Sequence, residues 1–185
     1  ILSSGPGARA SHHAAAALHG FPGYPEATPE LTIPRGRGRR PPHLRVHTST
    51  DLERSTLLIV DGSPVTDVGR TVLDLARTVS DRRLARTIEN ARRAGSTDWE
   101  RLISTLMRHA RRGRPGIRRL RRVIAANAHR EEITDSDFEL LVISLLLEAG
   151  LPEPTLHHRV MDGHRFVAEV ALAYPDLRIA IVLGG

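Results

Sequence analysis

The chain has 185 residues, 40% hydrophobic and 26% charged, a composition that fits one or two globular domains and excludes wholesale disorder. It has no Cys, which excludes a disulfide framework, thiolate metal sites, iron–sulfur clusters and Cys nucleophiles. Its 27 basic residues are all Arg, against 21 acids for a net charge of +6, so any motif that relies on a catalytic or phosphate-binding Lys is excluded.

The first third is turn-rich. Ser11 is expected to cap a short helix through Leu18, closed by Gly20 and Pro22. Strand-like runs follow at Leu31 to Ile33, Leu44 to Thr48 and Leu57 to Val60, separated by Pro, Gly and Arg. Asp61-Gly62 marks a turn, and Pro64-Val65-Thr66 is read as the lead into the next helix.

The middle is helical. Val68, Val72, Leu75, Ala76 and Val79 share one helical face. A second helix runs from about Ser80 to Ala94 and stops at Gly95. Ser96 or Thr97 is expected to cap a third, with Trp99, Leu102, Ile103 and Leu106 facing inward. After Gly113-Arg114-Pro115-Gly116, a fourth helix buries Ile117, Leu120, Val123 and Ile124.

Beyond Ile133 the rhythm changes. Phe138, Leu141, Val142, Leu145, Leu146 and Ala149 make an apolar helix ending at Gly150. Three strand-like runs follow: Thr155 to Val160, Arg165 to Ala173 and Arg178 to Leu183, with a hairpin turn at Asp162-Gly163. The expected fold class is α+β, divided into residues 1–132 and 133–185. The apolar run Leu140 to Leu147 is too short to span a bilayer, and no signal peptide opens the chain, so a cytoplasmic protein with no membrane partner is expected. Ile1 at the start and a strand-like end at Gly184-Gly185 lead us to read the chain as a fragment.

Arg is clustered twice. Arg35, Arg37, Arg39, Arg40 and Arg45 lie in a Gly/Pro-rich segment; Arg108, Arg111, Arg112, Arg114, Arg118, Arg119, Arg121 and Arg122 lead into and along the fourth helix. The guanidinium fork suits phosphate, and clustered cations gain affinity by releasing counterions, so double-stranded DNA is the expected partner. A solvated helix face is the plainer reading of the second cluster. With three Phe, two Tyr and one Trp in all, the chain offers no stacking platform for single strands.

The ten His include His12 and His19, seven apart, and the pair His157-His158, but no set with metal-ligand spacing, so no metal site is expected from them. Ser136 and Glu139 fit a capping box at a helix start. Arg70 and Asp74 are first an i, i+4 ion pair.

The stretch Ala10-Ser11-His12-His13-Ala14-Ala15-Ala16-Ala17-Leu18-His19-Gly20, followed by Leu31-Thr32-Ile33-Pro34 and its Arg run, resembles AbiEi-type antitoxin proteins. Asp61-Gly62-Ser63-Pro64-Val65-Thr66 and Arg70-Thr71-Val72-Leu73-Asp74-Leu75-Ala76 resemble the same family's later signature. Gly113-Arg114-Pro115-Gly116 and Gly150-Leu151-Pro152-Glu153-Pro154 resemble the entry to a Vsr-like endonuclease domain. The resemblance implies an antitoxin-like region with a winged helix upstream of Ile1. It implies that residues 133–185 begin a restriction-endonuclease-like α/β domain, a helix plus three strands, truncated.

In that domain a PD-(D/E)xK-type site would hold Mg²⁺. Its helix Glu matches Glu139, and its other acids fall on Ala171, Val182 and Gly184, none of which can ligate a metal. The implied protein is DNA-binding and catalytically inactive, with no cofactor in this chain. Arg35, Arg37, Arg39, Arg40, Arg114, Arg118, Arg119, Arg121 and Arg122 are its expected DNA contacts, and Glu139 its one matched site acid. Two alternatives stand beside it. One is an active Mg²⁺ endonuclease that recruits Glu139, Glu169 or Asp176. The other is an antitoxin or repressor that acts through the upstream winged helix and a cognate toxin protein.

Overall fold

The structure is a computed structural model that describes residues 4–25, 29–36, 40–128 and 134–183. Arg37, Arg39, Gly184 and the expected domain boundary at 132/133 lie outside them. Helices and two sheets alternate in an α+β arrangement, as the sequence leads one to expect.

The first sheet is built from β1 (Arg9–Ala10), β2 (Glu30–Pro34), β3 (Arg45–Ser49), β4 (Leu57–Val60) and β5 (Ser63–Thr66), in the order β3-β2-β1-β5-β4. It is mixed: β2 and β3 run parallel, as do β1 and β5, while β4 and β5 form a hairpin through Asp61-Gly62. Residues 64–66, expected to lead into a helix, are therefore a strand. Proline lacks a ladder donor and is normally kept from sheet interiors. Here two-residue β1 pairs with β5 only at Val65, so no bond is asked of Pro64 on that side.

The helix α1 (His12–Leu18) crosses from β1 to the loop before β2. Ser11 is its N-cap by backbone, but its hydroxyl makes no capping bond. That oxygen accepts a 2.7 Å hydrogen bond from Thr32 instead.

Four helices form the main core: α2 (Val68–Leu75), α3 (Asp81–Arg93), α4 (Trp99–His109) and α5 (Ile117–Ala128). Their apolar stripes meet in one cluster that includes Leu73, Leu84, Ile88, Leu102, Leu106, Ile117 and Leu120, all buried. The cap of α4 is Asp98, whose carboxylate accepts from the Arg101 amide at 2.7 Å; Ser96 and Thr97 lie two and one residues before it. Gly116 at the start of α5 has φ +90°, and a Cβ there would stand 2.6 Å from the Leu73 carbonyl oxygen.

The last helix, α6 (Asp135–Ala149), starts earlier than expected. Thr134 and Asp137 make its capping box, because the same acid-three-residues-on spacing occurs two residues before Ser136. Glu139 is thereby released from any capping duty. Leu141 of α6 enters the main core, and Glu148 pairs with Arg118 and Arg121 of α5, so α6 packs with the helices that precede residue 133. Of the apolar residues that mark this helix in the sequence, Phe138 and Leu145 are exposed.

Past Gly150, the strands β6 (Thr155–Asp162), β7 (Arg165–Tyr174) and β8 (Ile179–Ile181) form an antiparallel sheet. Asp162 pairs with Arg165, so the two turn residues are Gly163 and His164. Among the described residues, no helix is long and apolar enough to cross a membrane.

Candidate functional site

The helix α6 faces the β6–β7 hairpin at Glu139. Its Oε2 lies 3.7 Å from His157 Nε2, and the Nδ1 of the same ring lies 3.9 Å from Glu169 Oε1. His157 has φ +47° within β6. It falls across from Ala171, between the pairs Leu156–Leu172 and His158–Val170. Val170 and Leu172 bury one face of β7, which leaves Glu169 and Ala171 together on the other. The structure thus brings Glu139 toward His157 of the hairpin, and the residue across from His157 is Ala171, a methyl group.

Val182 follows β8 with its side chain in solvent, and Asp176 sits on an exposed single turn, Pro175–Leu177. A methyl and an isopropyl group offer no lone pair. Among the described residues, the carboxylates that face the His157 imidazole, across from Ala171, are Glu139 and Glu169. Mg²⁺ demands near-octahedral oxygen ligation. The residues present do not fit the Mg²⁺ site that the resemblance implies.

The expected DNA-contacting arginines divide sharply. Arg114 Nε donates to Asp51 at 2.8 Å, and its Nη2 lies 3.4 Å from Asp74. Arg118 Nε donates to Glu148 at 2.6 Å, and Arg121 pairs with the same carboxylate. Arg119 reaches Asp81 at 3.0 Å and donates to the Ala76 and Val79 carbonyls, tying α5 to the end of α2. Arg122 holds Asp81 at 2.9 Å. All five cations thus have internal partners. Arg35 and Arg40, by contrast, are exposed and make no ion pair among the described residues.

Behind Arg114 lies a buried ionic network. Arg70, 2% exposed, donates through Nε to Asp74 at 3.0 Å and through Nη1 to Asp51 at 3.2 Å. Asp51 also accepts from Ser49, His109 and Arg114. Burial alone would raise the Asp51 carboxyl. The hydrogen bonds from His109 and Ser49 and the charges of Arg114 and Arg70 outweigh it and hold the group far below the usual carboxylate range. The Arg70–Asp74 pair was legible as an i, i+4 spacing. Asp51 gave no signal, because it lies in the turn after β3 and meets its partners only through tertiary packing.

A second cluster was also missed. His12, Glu30 and His47 each bring one donor atom to within 4.8 Å of the others. His12 begins α1, and Glu30 and His47 sit on the parallel strands β2 and β3, where Glu30 pairs with Arg45 and Thr32 with His47. Residues spaced so widely form no sequence motif. The register of β2 on β3 assembles them.

Compared with known proteins, the chain matches no family model and no curated protein.

Proposed function

We propose that this chain binds duplex DNA through segment 35–40, and that its C-terminal hairpin carries an endonuclease-like scaffold without hydrolytic activity. The observation that carries the reading is the contrast between the two Arg clusters. The guanidinium group of Arg114 is engaged by Asp51 and Asp74 and those of α5 by Asp81 and Glu148, whereas Arg35 and Arg40 present exposed forks in a stretch that also contains Arg37 and Arg39. An exposed guanidinium can exchange water and condensed counterions for phosphate oxygens without first breaking an internal pair. The Ala171 methyl across the hairpin from His157 supports the absence of hydrolysis.

The test replaces Arg35, Arg37, Arg39 and Arg40 by Ser and measures affinity for a labelled duplex at low salt. The expected result is a loss of at least about tenfold, since each phosphate contact is a sizeable part of non-specific binding. Arg122→Ala serves as the comparison and is expected to leave affinity nearly unchanged. Equal affinity of the fourfold variant and the parent would overturn the assignment. Incubation with supercoiled plasmid and Mg²⁺ is expected to leave the plasmid intact. Nicking that stops on chelation would show that the hairpin recruits other acids.

A further inference from the structure

We infer that His12, Glu30 and His47 form a binding site for one transition-metal dication of the Zn²⁺ type, clipping the start of α1 to strands β2 and β3. This inference is independent of the DNA-binding reading.

Two imidazoles and one carboxylate are the donor set of many three-ligand zinc sites, with a fourth position open to water. A single carboxylate among nitrogen donors does not suit Mg²⁺ or Ca²⁺, which require mostly oxygen. Tetrahedral ligation with bonds of about 2.0–2.1 Å puts donors about 3.3 Å apart. His47 Nε2 and Glu30 Oε1 already stand 3.8 Å apart. The rings of His12 and His47 stack with centroids 3.8 Å apart, which keeps their donor nitrogens and the Glu30 carboxylate within 4.8 Å of one another.

Several details favour a cation over a merely packed polar cluster. The Nε2 of His47 is buried and makes no close hydrogen bond; the Glu30 carboxylate faces it at 3.8 Å, a gap that a shared cation would close. His12 is held at φ +52°, a conformation uncommon outside Gly that His, like Asn and Asp, enters more readily than other residues. Its Nδ1 lies 3.0 Å from Ser11 Oγ, which in turn accepts from Thr32. An Nδ1–H bond to that oxygen is the outer-shell arrangement that orients a ligating imidazole and leaves the lone pair on Nε2.

Glu30 is 2% exposed and ionised. Burial works against its charge, but the facing His47, the amide and ring of His13, and Arg45 outweigh it. The Glu30 Oε2 accepts from His13, so Oε1 is the oxygen that turns to the ion. Arg45 now donates to Oε1 at 2.9 Å, and being 63% exposed it can swing into solvent when a cation takes that place. The His47 side chain, 19% exposed, marks the way in.

The test titrates the chelator-treated full chain with Zn²⁺ against a chromophoric competitor, and separately with Co²⁺ as a spectroscopic reporter. One ion per chain is expected, with a Co²⁺ spectrum free of thiolate bands. His47→Gln and His12→Asn, the latter chosen because Asn tolerates positive φ, are expected to weaken binding by more than about tenfold. His157→Gln, in the other His–carboxylate cluster, is expected to change nothing. No stoichiometric binding by the folded parent, full binding by His47→Gln, or loss only in His157→Gln would each overturn the inference. Should the variants fail to fold, nitrogen NMR of the parent decides. Zn²⁺ must move the His12 and His47 ring resonances, and unmoved resonances contradict the site.

Discussion

Asp51 shows how far a single side chain can depend on packing that no local pattern announces. It is fully buried and accepts from Arg70, His109, Arg114 and Ser49 at once. Removing the carboxylate leaves Arg70 buried beside Asp74 alone and Arg114 without its shorter ion pair. Asp51→Ala is therefore expected to cost about 3–5 kcal/mol in urea unfolding, the range for breaking a buried ion pair from one side. The pH dependence follows from the direction of the shift. The folded group titrates below its ordinary value of 3.8, so the unfolded chain takes up the proton first. Stability due to Asp51 is complete above that value and drains away as the pH falls below it. The parent's urea midpoint should drop between pH 4 and 2 more steeply than that of Asp51→Ala. Parallel slopes would show that the carboxylate is not the group responsible.

At the scale of elements, the helices were the most legible part of the sequence. Their apolar residues recur every three to four positions, and Leu73, Leu84, Leu102 and Leu120 all reach the core. The strands were less so. Arg9 and Ala10 are too few to show alternation, and Pro64 in β5 carries the signature of a helix entry. The capping box of α6 was read two residues late because Ser136 and Thr134 offer similar spacing, and only the Thr134 geometry closes.

Two substitutions test how the elements are joined. Gly116→Ala must fit a Cβ against the Leu73 carbonyl at φ +90°, and a loss of more than about 1 kcal/mol is expected by chemical denaturation. Glu148→Ala removes the carboxylate shared by Arg118 and Arg121, and amide exchange across residues 135–149 is expected to quicken. Unchanged exchange would mean that α6 docks through Leu141 and its apolar neighbours alone.

At the scale of the molecule, a net charge of +6 does not by itself place a nucleic acid, because cations already committed to carboxylates contribute little to an interface. The sequence showed two Arg clusters of similar density. The fold distinguishes them: α5 sits between Asp81 and Glu148, while Arg35 and Arg40 lie after β2 and make no ion pair among the described residues. The candidate metal cluster is the opposite case, three residues scattered in sequence and gathered by a parallel strand register.

The central claim is that segment 35–40 meets phosphate. The most direct measurement is fluorescence anisotropy of the chain with a labelled duplex over a series of salt concentrations. Counterion release predicts a straight log–log plot with a slope near −0.9 for each phosphate neutralised, about −3 to −4 for this segment. The variant lacking Arg35, Arg37, Arg39 and Arg40 should lose most of that slope while the Arg122→Ala chain keeps it. A folded chain that shows no binding at low salt, or a slope that survives the loss of all four arginines, would contradict the account.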